Sequence, residues 1–169
     1  MKNINVKNVV LNNGNVNYLE KKIVSSGINV TQKYKLKYYN IMNLNNDLYD
    51  NENDNSIINY VTFLRYKFLF MGDASTKVEE KLLNEYDLTN INFLKVGHHG
   101  SKYSTGKNFV NKLKPTYSII SVGRNNKYGH PNEEILNNLS DSKIYRTDQD
   151  GSIMFKIKKN KLRIKTYSP

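Results

Sequence analysis

The chain contains no cysteine and only three histidines. The first absence excludes a disulfide framework and a thiolate zinc site, so any metal must be held by His, Asp, Glu, Asn or water. No apolar run approaches the ~20 residues of a membrane-spanning helix. No signal-peptide pattern precedes the first polar residues. Acidic residues are few: 15 Asp+Glu stand against 26 Lys+Arg, a formal charge of +11. Such an excess favours polyanionic partners such as nucleic acid, anionic lipid or phosphate polymers. Lys, Asn, Ile and Tyr are abundant throughout, however, and a general bias of that kind spreads lysine over the whole surface. The 169 residues suit one domain with a core of its own, and there is no internal repeat or interdomain linker.

Val6–Leu11 reads as a short buried strand and Asn12-Asn13-Gly14-Asn15 as a turn. Val16–Ser26 reads as a helix with Leu19, Ile23 and Val24 on one face and Gly27 as its stop. Short strands are expected at Ile28–Val30, Tyr34–Leu36 and Tyr39–Met42. Asn45–Asn55 has the composition of a loop, or of disorder. Strands at Ile57–Leu64 and Lys67–Met71, with a tight turn near Tyr66, lead to Gly72-Asp73. Thr76-Lys77-Val78-Glu79 is a capping-box pattern opening a helix to about Tyr86. Then come a strand at Phe93–Val96, a helix at Lys107–Leu113 ended by Pro115, and a strand at Tyr117–Val122. A helix follows from Pro131 to Leu139. Closing strands are expected at Lys143–Thr147, Ser152–Ile157 and Leu162–Thr166, with Asp148-Gln149-Asp150-Gly151 as a hairpin turn. Alternating strands and helices argue an α/β fold.

Two of the three histidines stand in Lys95-Val96-Gly97-His98-His99-Gly100-Ser101. A strand that ends in Gly-His-His-Gly brings two imidazoles to a loop where the backbone bends sharply and a ligand approaches closely. Imidazole is the commonest metal-binding side chain and titrates nearest neutral pH. Three post-strand loops carry the polar residues of interest: Gly72-Asp73, Gly97–Lys102, and Gly123 through His130-Pro131. Ligands of α/β sheets sit at the carboxyl ends of strands, so the three loops can converge. Taken singly, Asp73 reads as a helix cap or turn residue, His130 as a neighbour of a helix N-cap, and the His pair as part of a polar loop.

In order along the chain stand Phe70-Met71-Gly72-Asp73, Leu94–Ser101, Ile119–Pro131 and Tyr145–Ile153. As a set they closely resemble the metallo-β-lactamase-like domain of ComEC-type DNA-internalisation (competence) proteins and its free-standing relatives. Asn53-Asp54-Asn55-Ser56 before a strand also fits. The resemblance runs from about Asn51 to Ile157, and more loosely to the N-terminus. It implies an αββα sandwich and, in the complete domain, two divalent metals, zinc or manganese, which activate a water for attack on a phosphodiester. It further implies Asp73 as the carboxylate bridging the metals. Of the His pair, His99, 26 positions after Asp73, is favoured as ligand by similarity to related phosphodiesterases in which the second His of such a pair binds metal. His98 would then face the substrate phosphate as hydrogen-bond donor or acid. Ser101, Lys102 and His130 become candidate phosphate contacts. Asn53 and Asp54 stand 20 and 19 positions before Asp73, near where family members place a further His, and are candidate substrate contacts in its place.

The family's His-x-His-x-Asp-His motif is absent, since no histidine precedes His98. The expectation is therefore a single partial domain over residues 1–169, its N-terminal part missing. Asp73 and His99 alone would hold metal weakly or not at all, because two ligands leave most of the coordination sphere to water. A half sandwich also exposes a sheet edge or face that the missing half or a second copy would cover. The leading reading is a fragment of a metal-dependent phosphodiesterase or nuclease related to DNA uptake. One rival is a non-catalytic basic module that binds nucleic acid or a partner, supported by Arg124–Tyr128 and Lys156–Lys165. Another is hydrolysis of a small phosphodiester of the phosphorylcholine-ester kind. If DNA is the partner, its phosphates are expected to meet Lys95, Lys102, Arg124 and Lys127 beside the His-His loop, in preference to Lys21, Lys22, Lys158 and Lys159.

Overall fold

The computed structural model describes residues 4, 6–11, 17–31 and 40–168. The turn expected at Asn12–Asn15 and the strand expected at Tyr34–Leu36 lie outside the described residues. At the N-terminal end, β1 (Asn8–Val10) pairs in parallel with β2 (Asn29–Thr31) across α1 (Tyr18–Ser25). Asn17 and Glu20 cap α1 reciprocally, each side chain accepting the other's backbone N–H at 3.0 Å. This unit differs from the sequence expectation in one respect. No residue of β1 or α1 is fully buried, and Leu19 and Val24 are exposed.

The main sheet has six strands: β3 (Asn40–Asn43), β4 (Asn59–Phe63), β5 (Tyr66–Phe70), β6 (Phe93–Lys95), β7 (Tyr117–Ile120) and β8 (Lys143–Arg146), side by side in that order. The first three are antiparallel, and β5 to β8 run parallel. The parallel connections carry α2 (Thr76–Glu85), α3 (Lys107–Leu113) and α4 (Glu133–Asn138). Their apolar residues Val78, Leu82, Phe109, Leu113 and Ile135 meet Leu69, Leu94 and Ile120 of the sheet in one buried core. Each fully buried aliphatic side chain there contributes about 1.5–3 kcal/mol of transfer free energy.

The opposite face is aromatic. Phe68, Phe93 and Tyr117 are in register across three strands, with ring centroids 4.5 Å and then 5.3 Å apart. A short helical turn, α5 (Thr147–Asp150), leads to the antiparallel hairpin of β9 (Ser152–Lys158) and β10 (Lys161–Tyr167). Phe155 of β9 sets its ring edge-on to Phe93 at 4.9 Å and to Tyr145 at 5.9 Å. At the far end, the Arg65 guanidinium and the Tyr66 hydroxyl both donate to the Asn160 carbonyl.

Several local expectations give way to longer-range bonding. Asp148–Gly151 does not turn a hairpin, because β8 and β9 are unpaired; the hairpin turn is at Lys159-Asn160. Pro131 lies outside α4, which Asn132 caps by accepting the Glu134 N–H at 3.0 Å. The Asn-rich 45–55 stretch is ordered: Asn45 and Asn55 are buried, each donating to main-chain carbonyls. The capping box at Thr76–Glu79 does not form. Ser75 is the N-cap, and Glu79, 1% exposed, reaches across to α3 instead. Its carboxylate accepts the N–H groups of Thr105 and Gly106, the latter at 2.9 Å. Burial pushes the Glu79 carboxyl up to about 7, against the pull of those two donors.

A carboxyl raised in the folded state stabilises most below its unfolded value of 4.5 and loses that contribution as pH rises through about 7. Glu79→Ala leaves the buried Thr105 N–H and the part-buried Gly106 N–H without their acceptor, which costs about 2–3 kcal/mol near pH 5. The cost shrinks by up to about 3 kcal/mol on going to pH 8. Urea denaturation of both proteins at the two pH values measures this. A cost that grows with pH would mean that the ionised carboxylate is the stabilising form.

Candidate functional site

Because β5, β6 and β7 are parallel and in register at Phe70, Lys95 and Ile119, the loops that follow them emerge at one end of the sheet. After β5, Gly72 has φ +59, and a Cβ there would stand 2.6 Å from that of Ser56. The Ser56 hydroxyl in turn accepts the Asp73 N–H at 2.9 Å. Two residues on, the Ser75 N–H donates to the Asp54 carboxylate at 2.9 Å. Asp54 is buried, and Asn53 is partly so, its N–H on the Asn51 side chain. The pair proposed for substrate contact thus stands behind the Asp73 loop, with Asp54 fastening it.

After β6 the chain makes a single turn over Gly97–Gly100 in which His98 (φ 46, ψ 40) and His99 (φ 57, ψ 20) are both left-handed. For residues with a Cβ this costs about 1–2 kcal/mol each. The surroundings hold it. The His98 N–H donates to the Gly72 carbonyl at 3.0 Å, and the Ser104 hydroxyl donates to the Gly97 carbonyl at 2.9 Å. At Gly100, φ is +80 and a Cβ would stand 2.6 Å from Cβ of Pro131, so the His-His turn packs directly on the third loop. There the Asn132 N–H donates to the Gly100 carbonyl at 2.8 Å. Asn126 closes the third loop. Its side chain donates to the His130 carbonyl at 2.7 Å and accepts the His130 N–H at 2.9 Å.

The result brings Asp73 and all three histidines to the same end of the sheet. His99 Nε2 stands 3.7 Å from Asp73 Oδ1, both side chains close to half exposed. His99 Nδ1 is 2.6 Å from the Ser121 carbonyl. A carbonyl only accepts, so the Nδ1 proton points at Ser121 and the Nε2 lone pair of the neutral ring faces the carboxylate. Two acceptors facing each other at that distance, both open to solvent, leave room for a water or a cation between them. The His98 and His130 ring centroids are 6.0 Å apart, and Tyr128 stacks on His130 at 5.7 Å. Around them is a cavity of about 440 Å³ lined by His98, Ser101, Lys102, Tyr103, Tyr128, His130 and Asn132. Lys102 and Lys127 lie over the rings of Tyr103 and Tyr128, at 5.1 and 5.2 Å. Burial, and then the charges of His98 and His99, hold the His130 imidazole below its ordinary 6.5.

One cation departs from expectation. Lys95, grouped above with the surface cations, is partly buried, and its Nζ donates to the Val96 carbonyl at 2.9 Å. Burial lowers its pKa, with Asp73 pulling the other way. Lys102, Arg124 and Lys127 are exposed on the loops. Among the described residues, no group of three or more His, Cys, Asp or Glu is gathered for metal binding. The side chains that sequence reasoning missed are Tyr103, Asn126 and Asn132, together with Glu79, which clips the loop behind Ser101. Only Asn132 carried a signal, as a residue with N-cap chemistry following His130-Pro131.

The chain is similar to three curated proteins. It is 34% identical to ComE operon protein 3 of Bacillus subtilis over 120 residues, 70% of this chain and 16% of that protein. It is 38% identical to competence protein ComA of Neisseria gonorrhoeae over 90 residues, 52% of this chain and 13% of that one. It is 29% identical to Recombination protein 2 of Haemophilus influenzae over 129 residues, 75% and 16% of the two chains. The matched region is thus about a sixth or less of the length of these relatives. No family model matches the chain.

The His130 environment is directly testable by NMR titration of the three imidazoles. His130 is expected to titrate below 6.5. Replacing His98 and His99 together by Ala is expected to raise its pKa only in part, because burial is the larger cause. Full restoration by the double substitution would make charge, not burial, the dominant cause.

Proposed function

We propose that the chain carries part of a metal-dependent phosphodiesterase of the nuclease kind, acting on DNA in competence-type DNA uptake. The observation that carries this reading is the facing pair of Asp73 and His99 beside His98 and His130, in a chain similar to competence protein ComA. The sheet is read as one half of an αββα sandwich. In support, helices cover one of its faces, while the other has an apolar groove of about 1430 Å³ bordered by Val61, Phe68, Phe70 and Ile157. A second apolar layer suits such a face.

Asp73 and His99 are donors of the kind that zinc and manganese accept, and the Ser121 carbonyl aims the free lone pair of His99 at the Asp73 side. A metal pair, when bound, supplies a water acidic enough to react near neutral pH and neutralises charge on the phosphate. The other residues position and protonate. His98 and His130 line the adjoining cavity and can donate to a phosphate oxygen or a leaving group. A lowered pKa keeps His130 a neutral base near pH 7 until an anion beside it favours the imidazolium. Lys102, exposed at the cavity, offers a charge to the phosphodiester, and exposed Tyr103 offers a flat face to a base. Ser101, 2% exposed, lies deeper in the same wall.

A second reading, a basic nucleic-acid-binding module without catalysis, is favoured by a different observation: only two metal donors face each other among the described residues. Metal content separates the two. With the nuclease reading, manganese added to the labelled protein should broaden the resonances of His99 and Asp73 first. Asp73→Ala or His99→Ala should weaken that binding at least tenfold. Two ligands imply weak affinity and negligible turnover of bis-p-nitrophenyl phosphate by this chain alone. Broadening spread evenly over the surface carboxylates would remove the metal assignment. Tight stoichiometric metal with robust turnover would show that the ligand set is larger than Asp73 and His99.

A further inference from the structure

The hairpin of β9 and β10 has two faces of opposite character. Ile153, Phe155, Ile157, Leu162 and Ile164 alternate inward and are partly buried, with Phe155 on the aromatic face of the main sheet. Outward, and exposed, stand Lys156, Lys158, Lys161, Arg163 and Lys165, with Met154 and Tyr167 beside them. The register sets cation against cation: Lys158 opposite Lys161, and Lys156 opposite Arg163. Residues 151–169 contain six of the 26 Lys+Arg and none of the 15 Asp+Glu. None of these cations has an ion-pair partner among the described residues. Like charges directly opposite each other destabilise a sheet. A polyanion laid across them converts that repulsion into attraction.

Direction adds to composition. The hairpin tip at Asn160 is held at the start of β5, by Arg65 and Tyr66. Ser152, which follows α5 at the end of β8, and Tyr167, its partner at the end of β10, lie at the end where Asp73 and the histidines lie. At about 3.3 Å per residue the outward face is about 20 Å long, and its cations take up about 13 Å of it from the tip to Lys165. It runs along the back of the sheet toward the site, and its cations recur every second residue. Exposed Met154 and Tyr167 lie at the end nearer the site, where unpaired bases can rest on them.

We propose that the outward face of β9–β10 is a binding track for single-stranded nucleic acid leading toward the Asp73–His99 end of the sheet. It rests on the nucleic-acid part of the reading above, not on metal or catalysis. An anionic membrane is the alternative polyanion, but the exposed aromatic at the site end and the narrow row of cations favour a single strand.

The test is fluorescence anisotropy with labelled oligo-dT, a duplex of equal length and phosphatidylserine vesicles, across a salt series. The variants are Lys156→Glu/Arg163→Glu/Lys165→Glu and a control that reverses exposed Lys107, Lys112 and Lys114. Circular dichroism of each checks the fold. The hairpin variant should lose at least tenfold in oligo-dT affinity, and its salt slope should flatten by about 2, roughly 0.7 per lost contact. The control should lose less than threefold. Tyr167→Ala should weaken oligo-dT binding about fivefold or more and leave duplex binding little changed. Equal losses in hairpin and control variants, or tighter binding to vesicles than to oligo-dT, would overturn the track. So would unchanged binding with new aggregation, which marks the lysines as guards against edge pairing. Wild-type protein that binds no oligo-dT at all would remove the nucleic-acid reading itself, whereas lost hydrolysis with intact binding touches only the metal assignment.

Discussion

The parallel register of β5, β6 and β7 is the constraint on which the candidate site depends. It sets Phe70, Lys95 and Ile119 side by side. From there each strand can deliver its next few residues to the same place. Three loops far apart in sequence then need only local fixing: Ser56 under Gly72-Asp73, the Gly72 carbonyl under His98, and Asn126 across the third loop. The helices that link these strands supply the burial that holds the register, through Leu69, Leu94 and Ile120. A one-residue slip of β6 would carry Leu94 out of that core and Phe93 off the aromatic ladder, so packing on both faces opposes it.

The His-His turn shows what this fixing can sustain. Two adjacent non-glycine residues in left-handed conformation would not persist in an isolated peptide. Here the turn is pinned by the Gly72 carbonyl, by Ser104 and by the contact of Gly100 with Pro131. The consequence is a division of labour between neighbours. His99 is turned to the Ser121 carbonyl and Asp73, while His98 is turned to His130 and the cavity. Adjacent residues in a strand would also point to opposite sides, but not to two parts of one site.

Much of this was legible in the sequence because it is written in short-range patterns. The apolar runs at Phe93–Val96 and Tyr117–Val122 read as strands, Lys107–Leu113 as a helix, and the three loops as neighbours at strand ends; the structure has each of these. Partners distant in sequence were not legible. Glu79 carries the spacing of a capping box, yet two amides 26 and 27 positions away claim its carboxylate. Asp148–Gly151 has turn composition, yet the strand after it leaves the main sheet and crosses to the aromatic face. Asn45–Asn55 looks polar enough to be disordered, yet main-chain carbonyls across the loop satisfy its buried amides. In each case the local signal was real and a longer-range hydrogen bond or packing contact outweighed it.

The same logic separates the two sources of positive charge. Composition alone spreads lysine without regard to place, and Lys95 illustrates the limit: near the histidines in sequence, it turns inward and spends its donor on the Val96 carbonyl. Lys156, Lys158, Lys161, Arg163 and Lys165 lie farther away in sequence, yet alternation puts all five on one exposed face. Alternation of this kind follows from the inward set. Ile153, Phe155, Ile157, Leu162 and Ile164 are held against the sheet, so every intervening side chain must face solvent. The aromatic packing of Phe155 therefore anchors the hairpin and, by the same geometry, presents its cations outward.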